Sequence, residues 1–271
     1  MLRPRPRRLR LAVAWLTLTA LPSIAATEDG RDFCLDRPGL GTPACTLDDG
    51  QVAIELGAVS WTLDRSAGGR SDTIATGDLL LRYGIKQNLE VQLGWDGFAT
   101  TRVRSGGRVE KASGTGDVLL AVRHNLQNPD GSGFSLAVMP YATLPVGSSA
   151  TGAGDWGAGL LLPASQDLPA GFGIGLTGSV EAAVDEDRGG RHLAYGAIVG
   201  IDVPLSETVG ATAEFPARCD DDPSGASAGL MAGVSAGWAP VLSLQPDVGT
   251  TFGLNHHVSD VQLYFGIARR F

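Results

Sequence analysis

A two-residue alternation of apolar and polar side chains, sustained over segments of ten or eleven residues, constrains this chain more than any other feature. Leu89, Val91, Leu93 and Trp95 alternate with Asn88, Glu90, Gln92, Gly94 and Asp96. Successive side chains of a strand face opposite ways, whereas a helix repeats every 3.6 residues, so this beat belongs to β-structure. It recurs in Ala75, Leu79, Leu81 and Tyr83 against Asp78 and Arg82, and in Phe172, Ile174, Leu176 and Val180 against Gly173, Gly175, Thr177 and Glu181. Leu193, Tyr195, Val199 and Ile201 repeat it, as do Val261, Leu263, Phe265 and Ile267 against Gln262, Tyr264, Gly266 and Ala268. Twelve strands are expected, near 51–62, 73–83, 88–98, 115–125, 133–144, 154–165, 172–182, 191–203, 208–216, 227–238, 241–252 and 260–271.

Two stretches without charge, 131–154 and 223–246, invite a reading as membrane helices. Both carry Gly, Ser and internal Pro and alternate with period two, which excludes it. With 38 Gly in 271 residues the chain is also a poor helix former. Strands of a soluble sandwich usually run five or six residues. These are nearly twice as long, which suits tilted strands crossing a bilayer, and such a sheet must close because lipid cannot satisfy a bare edge. The expected fold is an all-β, up-and-down antiparallel transmembrane barrel over residues 51–271, with its apolar face toward lipid and its polar face toward the lumen.

Aromatic residues give an independent check. Trp61, Tyr83, Trp95, Phe134, Trp156, Phe172, Phe215, Trp238, Phe252 and Phe271 all fall near expected strand ends, where interfacial girdles lie. All but Trp61 share the apolar parity of their strand. Connections alternate in length: 63–72, 99–114 and 217–226 are long and polar and are expected outside the cell, with tight turns on the periplasmic side.

The N-terminus adds an export signal. Arg3, Arg5, Arg7, Arg8 and Arg10 precede an apolar run from Leu11 to Leu21, with Ser23 and Ala25 at the −3 and −1 positions of a cleavage site, so residues 1–25 read as a signal peptide. The run is too short to span a membrane. Its removal would take the formal charge from −8 to −13, which excludes a nucleic-acid partner.

Residues 26–50 precede the first strand. Cys34 and Cys45 bracket a loop rich in Pro and Gly and are expected to form a disulfide in an oxidising periplasm; two cysteines with no nearby His make no metal site. The segment is long enough to fold back as a stapled plug or lid at the periplasmic mouth. Cys219 is left over, in an expected outer loop.

The polar parity nominates the lumen-lining residues Glu55, Asp78, Arg82, Glu90, Gln92, Asp117, Arg123, Glu181, Asp202, Glu214, Asp247, Gln262 and Arg270. Side chains so placed either neutralise one another in a hydrated interior or select solutes, and their acid excess favours cations or neutral solutes. A hydrolase needs Ser, His and a carboxylate converging at one rim. The His256-His257-Val258-Ser259-Asp260 run puts these types side by side in sequence, without a Gly-x-Ser-x-Gly elbow, so a solvated loop is the better reading and no enzyme, cofactor or metal is expected. A metal bound by His256-His257 with Asp220-Asp221-Asp222 is weaker still.

The last strand ends on Phe271 with the apolar parity of Leu263, Phe265 and Ile267, which is similar to the signal read by periplasmic chaperones and the barrel-assembly machinery; Arg269 departs from it, at a position that is usually apolar. Three segments carry a wider resemblance: Phe33-Cys34-Leu35-Asp36-Arg37-Pro38 through Ala44-Cys45-Thr46, the hairpin Tyr83-Gly84-Ile85 with Leu89-Glu90, and Phe252-Gly253-Leu254-Asn255 through Ile267-Ala268-Arg269-Arg270-Phe271. Together they resemble the outer-membrane proteins of the MetA-pathway of phenol degradation family. The resemblance implies a single-chain barrel in the outer membrane of a Gram-negative bacterium, in contact with its lipid and taking up small solutes, aromatics among them. The alternatives are a closed barrel that serves as an anchor or assembly partner, and, more remotely, a barrel hydrolase.

Overall fold

The computed structural model describes residue 31, residues 34–66 and residues 68–271. The expected signal peptide lies outside the described residues, as do 26–30, 32 and 33. Among the described residues there are fifteen strands: β1 (Val52–Ser66), β2 (Gly69–Thr76), β3 (Asp78–Lys86), β4 (Leu89–Trp95), β5 (Phe98–Ser105), β6 (Arg108–Thr115), β7 (Val118–Gln127), β8 (Phe134–Leu144), β9 (Gly157–Asp167), β10 (Gly173–Val184), β11 (Arg191–Pro204), β12 (Val209–Asp220), β13 (Ser227–Trp238), β14 (Leu244–Gly253) and β15 (Val261–Arg270). Twelve of them, β1, β3, β4 and β7 to β15, form a closed antiparallel barrel. The seam runs between β15 and β1, from Ala53 opposite Arg270 to Leu63 opposite Val261. Phe271 continues it, its amide donating to Val52 O at 2.8 Å. Twelve strands and an up-and-down order are what the alternation predicts.

The other three strands correct the expected loops. β2 and β3 are one long strand broken at Gly77, whose φ of 78° is left-handed, and β4–β5 and β6–β7 break likewise at Asp96-Gly97 and Gly116-Asp117. Below the breaks the strands follow the barrel; above them β2, β5 and β6 leave the barrel wall and, paired on β1, extend the same sheet past the extracellular rim. Residues 63–72 and 99–114 are therefore hairpin rather than loop. The turn of the second hairpin is Gly106-Gly107, both at positive φ, the backbone a two-residue hairpin turn requires. β12 also runs further than expected, so Cys219 lies in the strand opposite Tyr195 and Ala228, as a free thiol, and not in a loop.

Trp61 is explained by a bulge. Against β15 the register steps between Gly57 and Val59, leaving Ala58 unpaired. One extra residue reverses the parity of everything after it. Ile54 and Leu56 face out before the bulge, and Val59 and Trp61 face out after it, opposite Phe265 and Leu263.

Burial is inverted relative to a soluble protein. Arg82, Arg123, Glu55 and Glu90 are among the largest fully buried side chains, while Leu176, Val180, Val199, Phe215, Val234 and Phe265 are exposed around the barrel. Water would penalise such a contiguous apolar exterior; lipid does not.

Candidate functional site

The polar parity of the strands builds an interior of charged side chains, and residues 34–48 run into it. Their backbone amides have no ladder to join and must find other acceptors. The wall supplies them. Glu55 on β1 accepts from the amides of Asp36 (3.1 Å) and Arg37 (2.8 Å). Glu214 on β12 receives Leu40 N and Gly41 N, one on each carboxylate oxygen, at 2.7 Å. Glu90 on β4 accepts from Leu47 N at 2.9 Å, and Thr177 on β10 both accepts from Thr42 N and donates to Thr42 O.

Ion pairs centre on Asp36. Nη2 of Arg123, on β7, lies 2.6 and 2.8 Å from its two carboxylate oxygens, and Nη1 of Arg82, on β3, lies 3.3 Å from one of them. Arg82 also makes a two-pronged contact with Glu90 (3.0 Å each) and reaches Glu55 (3.0 Å) and Cys34 O (2.8 Å). Both arginine side chains are fully buried. A buried guanidinium stripped of its carboxylates would be an uncompensated charge, so each partner is required by the others. Across the lumen Arg37 forks Asp247 on β14 at 2.6 and 3.0 Å, beneath the Tyr264 ring, whose hydroxyl donates to Pro38 O.

Two glycines make room for this. A Cβ on Gly84 would overlap the Asp48 carbonyl, and one on Gly266 would overlap the Arg37 guanidinium. The Cys34–Cys45 disulfide joins the ends of the loop so held. Its neighbours tie down the exit: Asn125 donates to Ala44 O (2.8 Å) and Arg123 to Cys45 O (3.2 Å).

The wall is not gripped evenly. Beside the loop lies a cavity of about 300 Å³, bounded by the loop between Cys34 and Cys45, by Ala164, Ser165, Gly175, Thr177, Ile198, Gly200 and Asp202 of β9 to β11, and by Thr212 and Glu214 of β12. Small side chains leave this half of the lumen open.

The nominated lumen residues therefore divide. Glu55, Arg82, Glu90, Arg123, Glu214 and Asp247 hold the N-terminal segment, and Gln92 donates to Glu90 at 2.7 Å. Asp202, which accepts from Thr212, faces the open side, and Glu181 pairs with Arg218 at 2.6 Å. Asp78 and Gln262 border smaller spaces near Arg37. Arg270 sits at the periplasmic rim, donating to Arg31 O. Asp117, between β6 and β7, accepts from Gly147 N and Ala153 N and so anchors an outer loop. Asn125, Thr177 and Tyr264 also serve the site and were not nominated; Tyr264 is visible in the sequence as an aromatic with lumen parity.

Histidines lie elsewhere. Asp220 and Asp222 meet His192 and Asp185, joining the loops at 185–190 and 221–226 at the extracellular rim, while His256 and His257 are exposed.

Solved structures share this architecture at low identity. The translocator domain of the autotransporter NalP from Neisseria meningitidis is 14% identical, with 88% of this chain and 91% of that one covered and a TM-score of 0.50. The β domain of the Bordetella autotransporter BrkA is 13% identical (83% and 100% covered, TM-score 0.53), and the NanC porin is 8% identical (80% and 98% covered, TM-score 0.51). These likenesses establish the outer-membrane barrel fold. No curated protein matches the sequence. Residues 35–271, from the stapled loop to the closing Phe271, match the MetA-pathway of phenol degradation family, and the chain belongs to it.

Proposed function

We propose that this barrel is a conduit for small solutes across the outer membrane, and that residues 34–48 are its plug. The observation that supports this most is the asymmetry of the lumen: charge holds the segment to β1, β3, β4, β7, β12 and β14, while on β9 to β11 Thr177 alone among the described residues binds it and a cavity lies beside it. A structural filler would have no need of a cavity left along one side. Solutes pass between segment and wall, and displacement of the segment widens the route. The family description points to phenol-type aromatics as the solute class, and a cavity of about 300 Å³ accommodates a single ring. The reading is of a conduit and not a hydrolase; among the described residues no histidine is hydrogen-bonded to a serine. Liposome swelling tests it: vesicles carrying the protein should admit phenol and small neutral solutes faster than empty vesicles and exclude trisaccharides.

The many contacts of the segment favour a second reading, a barrel that stays closed and serves as an anchor. Swelling no faster than protein-free vesicles would favour that one.

A further inference from the structure

The sheet that rises above the barrel has two faces, and register assigns each side chain to one of them. Trp61 and Leu263 are paired on the lipid-facing side, and Trp61 pairs with Ile74, so the outward face continues upward from that row. The next row is Leu63, Asp72, Arg102 and Lys111, and the row above it is Arg65, Arg70, Arg104 and Val109. Five cations and one acid thus share one outward face, in a chain whose net charge is −8. Asp72 takes Arg70 at 2.5 Å and Arg104 at 3.6 Å. Arg65, Arg102 and Lys111 have no ion pair among the described residues, and Nε of Arg102 is buried without a hydrogen-bond partner.

Strands about 4.8 Å apart with rows about 6.8 Å apart put these cations in a compact grid. The grid begins immediately above Trp61, Ile74 and exposed Phe98, at the level where acyl chains give way to headgroups. Solvation alone would not gather one sign of charge on the outward face, and like charges at this spacing repel unless an anion is shared among them.

We propose that this face binds the phosphate groups of a phosphorylated glycolipid of the outer leaflet. Arg65, Arg102 and Lys111 are the free donors, while Asp72 occupies Arg70 and Arg104 beside them. Arginine forks suit phosphate oxygens, and each cation near an anionic surface adds to the attraction. The lipid belt below and the cations above would then grip one molecule by both its chains and its head.

The test is titration of the detergent-solubilised full-length barrel with bisphosphorylated lipid A, followed by native mass spectrometry. The wild type should bind it at least tenfold more tightly than the same lipid with its phosphates removed. The triple variant Arg65→Gln, Arg102→Gln, Lys111→Gln should lose roughly a hundredfold in affinity. Asp72→Asn, which frees two arginines, should bind more tightly; it keeps the question answerable should the triple variant not fold. Equal affinity for the dephosphorylated lipid, unchanged binding by both variants, or equally tight capture of inorganic phosphate alone would overturn the proposal.

Discussion

Nη2 of Arg123 lies 2.6 and 2.8 Å from the two carboxylate oxygens of Asp36, tying the seventh strand to a residue 87 positions earlier. Arg82 closes on the same carboxylate from the other side. Asp36 is thereby the bolt of the segment, and Asp36→Asn should remove the attraction while keeping the shape. Breaking a buried pair costs about 3–5 kcal/mol, and Asp36 is partly exposed, so about 3 kcal/mol is expected. The variant should unfold at lower temperature in detergent and show larger or more frequent openings in planar bilayers. An unchanged midpoint with unchanged openings would contradict the assigned role.

The Cys34–Cys45 bond closes a short loop, worth about 2–3 kcal/mol in the chain-entropy model. Thiol titration of the unfolded protein should find Cys219 alone before reduction and all three cysteines after it. Cys34→Ser with Cys45→Ser should leave the barrel closed, because the wall contacts persist, while the segment fluctuates more. Greater current noise at unchanged strand content by circular dichroism is the expected signature.

Gly175 faces the open side of the lumen, and a Cβ built there meets nothing within 4 Å. Gly175→Leu should therefore fold normally and fill the route. Solute flux should fall several-fold with the unfolding midpoint unchanged. Undiminished flux would move the conduit away from β10.

At the extracellular rim, Ser224, through its side chain and then its amide, together with the Glu186 amide, holds the Asp222 carboxyl below the usual range. A depressed carboxylate contributes stability above its unfolded pKa of about 3.9 and loses it as pH falls through the folded value. The difference in unfolding midpoint between wild type and Asp222→Asn should persist from about pH 8 to 5, larger once His192 beside it carries its proton, and vanish in stronger acid. A difference that fades already near neutrality would show that Asp222 is not held in this way.

The barrel was legible in the sequence because its rule is local. Period two assigns Glu55, Arg82 and Glu90 to one face without knowledge of their partners. Trp61 broke that rule because the bulge at Ala58 resets parity, and its one local mark, Gly57, is a single glycine among 38 in the chain. The outer hairpin at residues 99–114 was hidden by its polar composition, since above the membrane neither face must be apolar. The partners of the segment were not readable at all: Arg37 and Asp247 are 210 residues apart, and only the closed wall brings them together. Asp36-Arg37 beside two cysteines hinted at a stapled plug but named none of its contacts.

Single-channel conductance of the intact barrel, set against a variant lacking residues 34–48, bears most directly on the account. Removing the segment should raise conductance several-fold and abolish fluctuation between levels, with the barrel still folded by heat-modifiable migration. The same small conductance in both would mean that the segment does not occlude the lumen, and the plugged conduit would have to be given up.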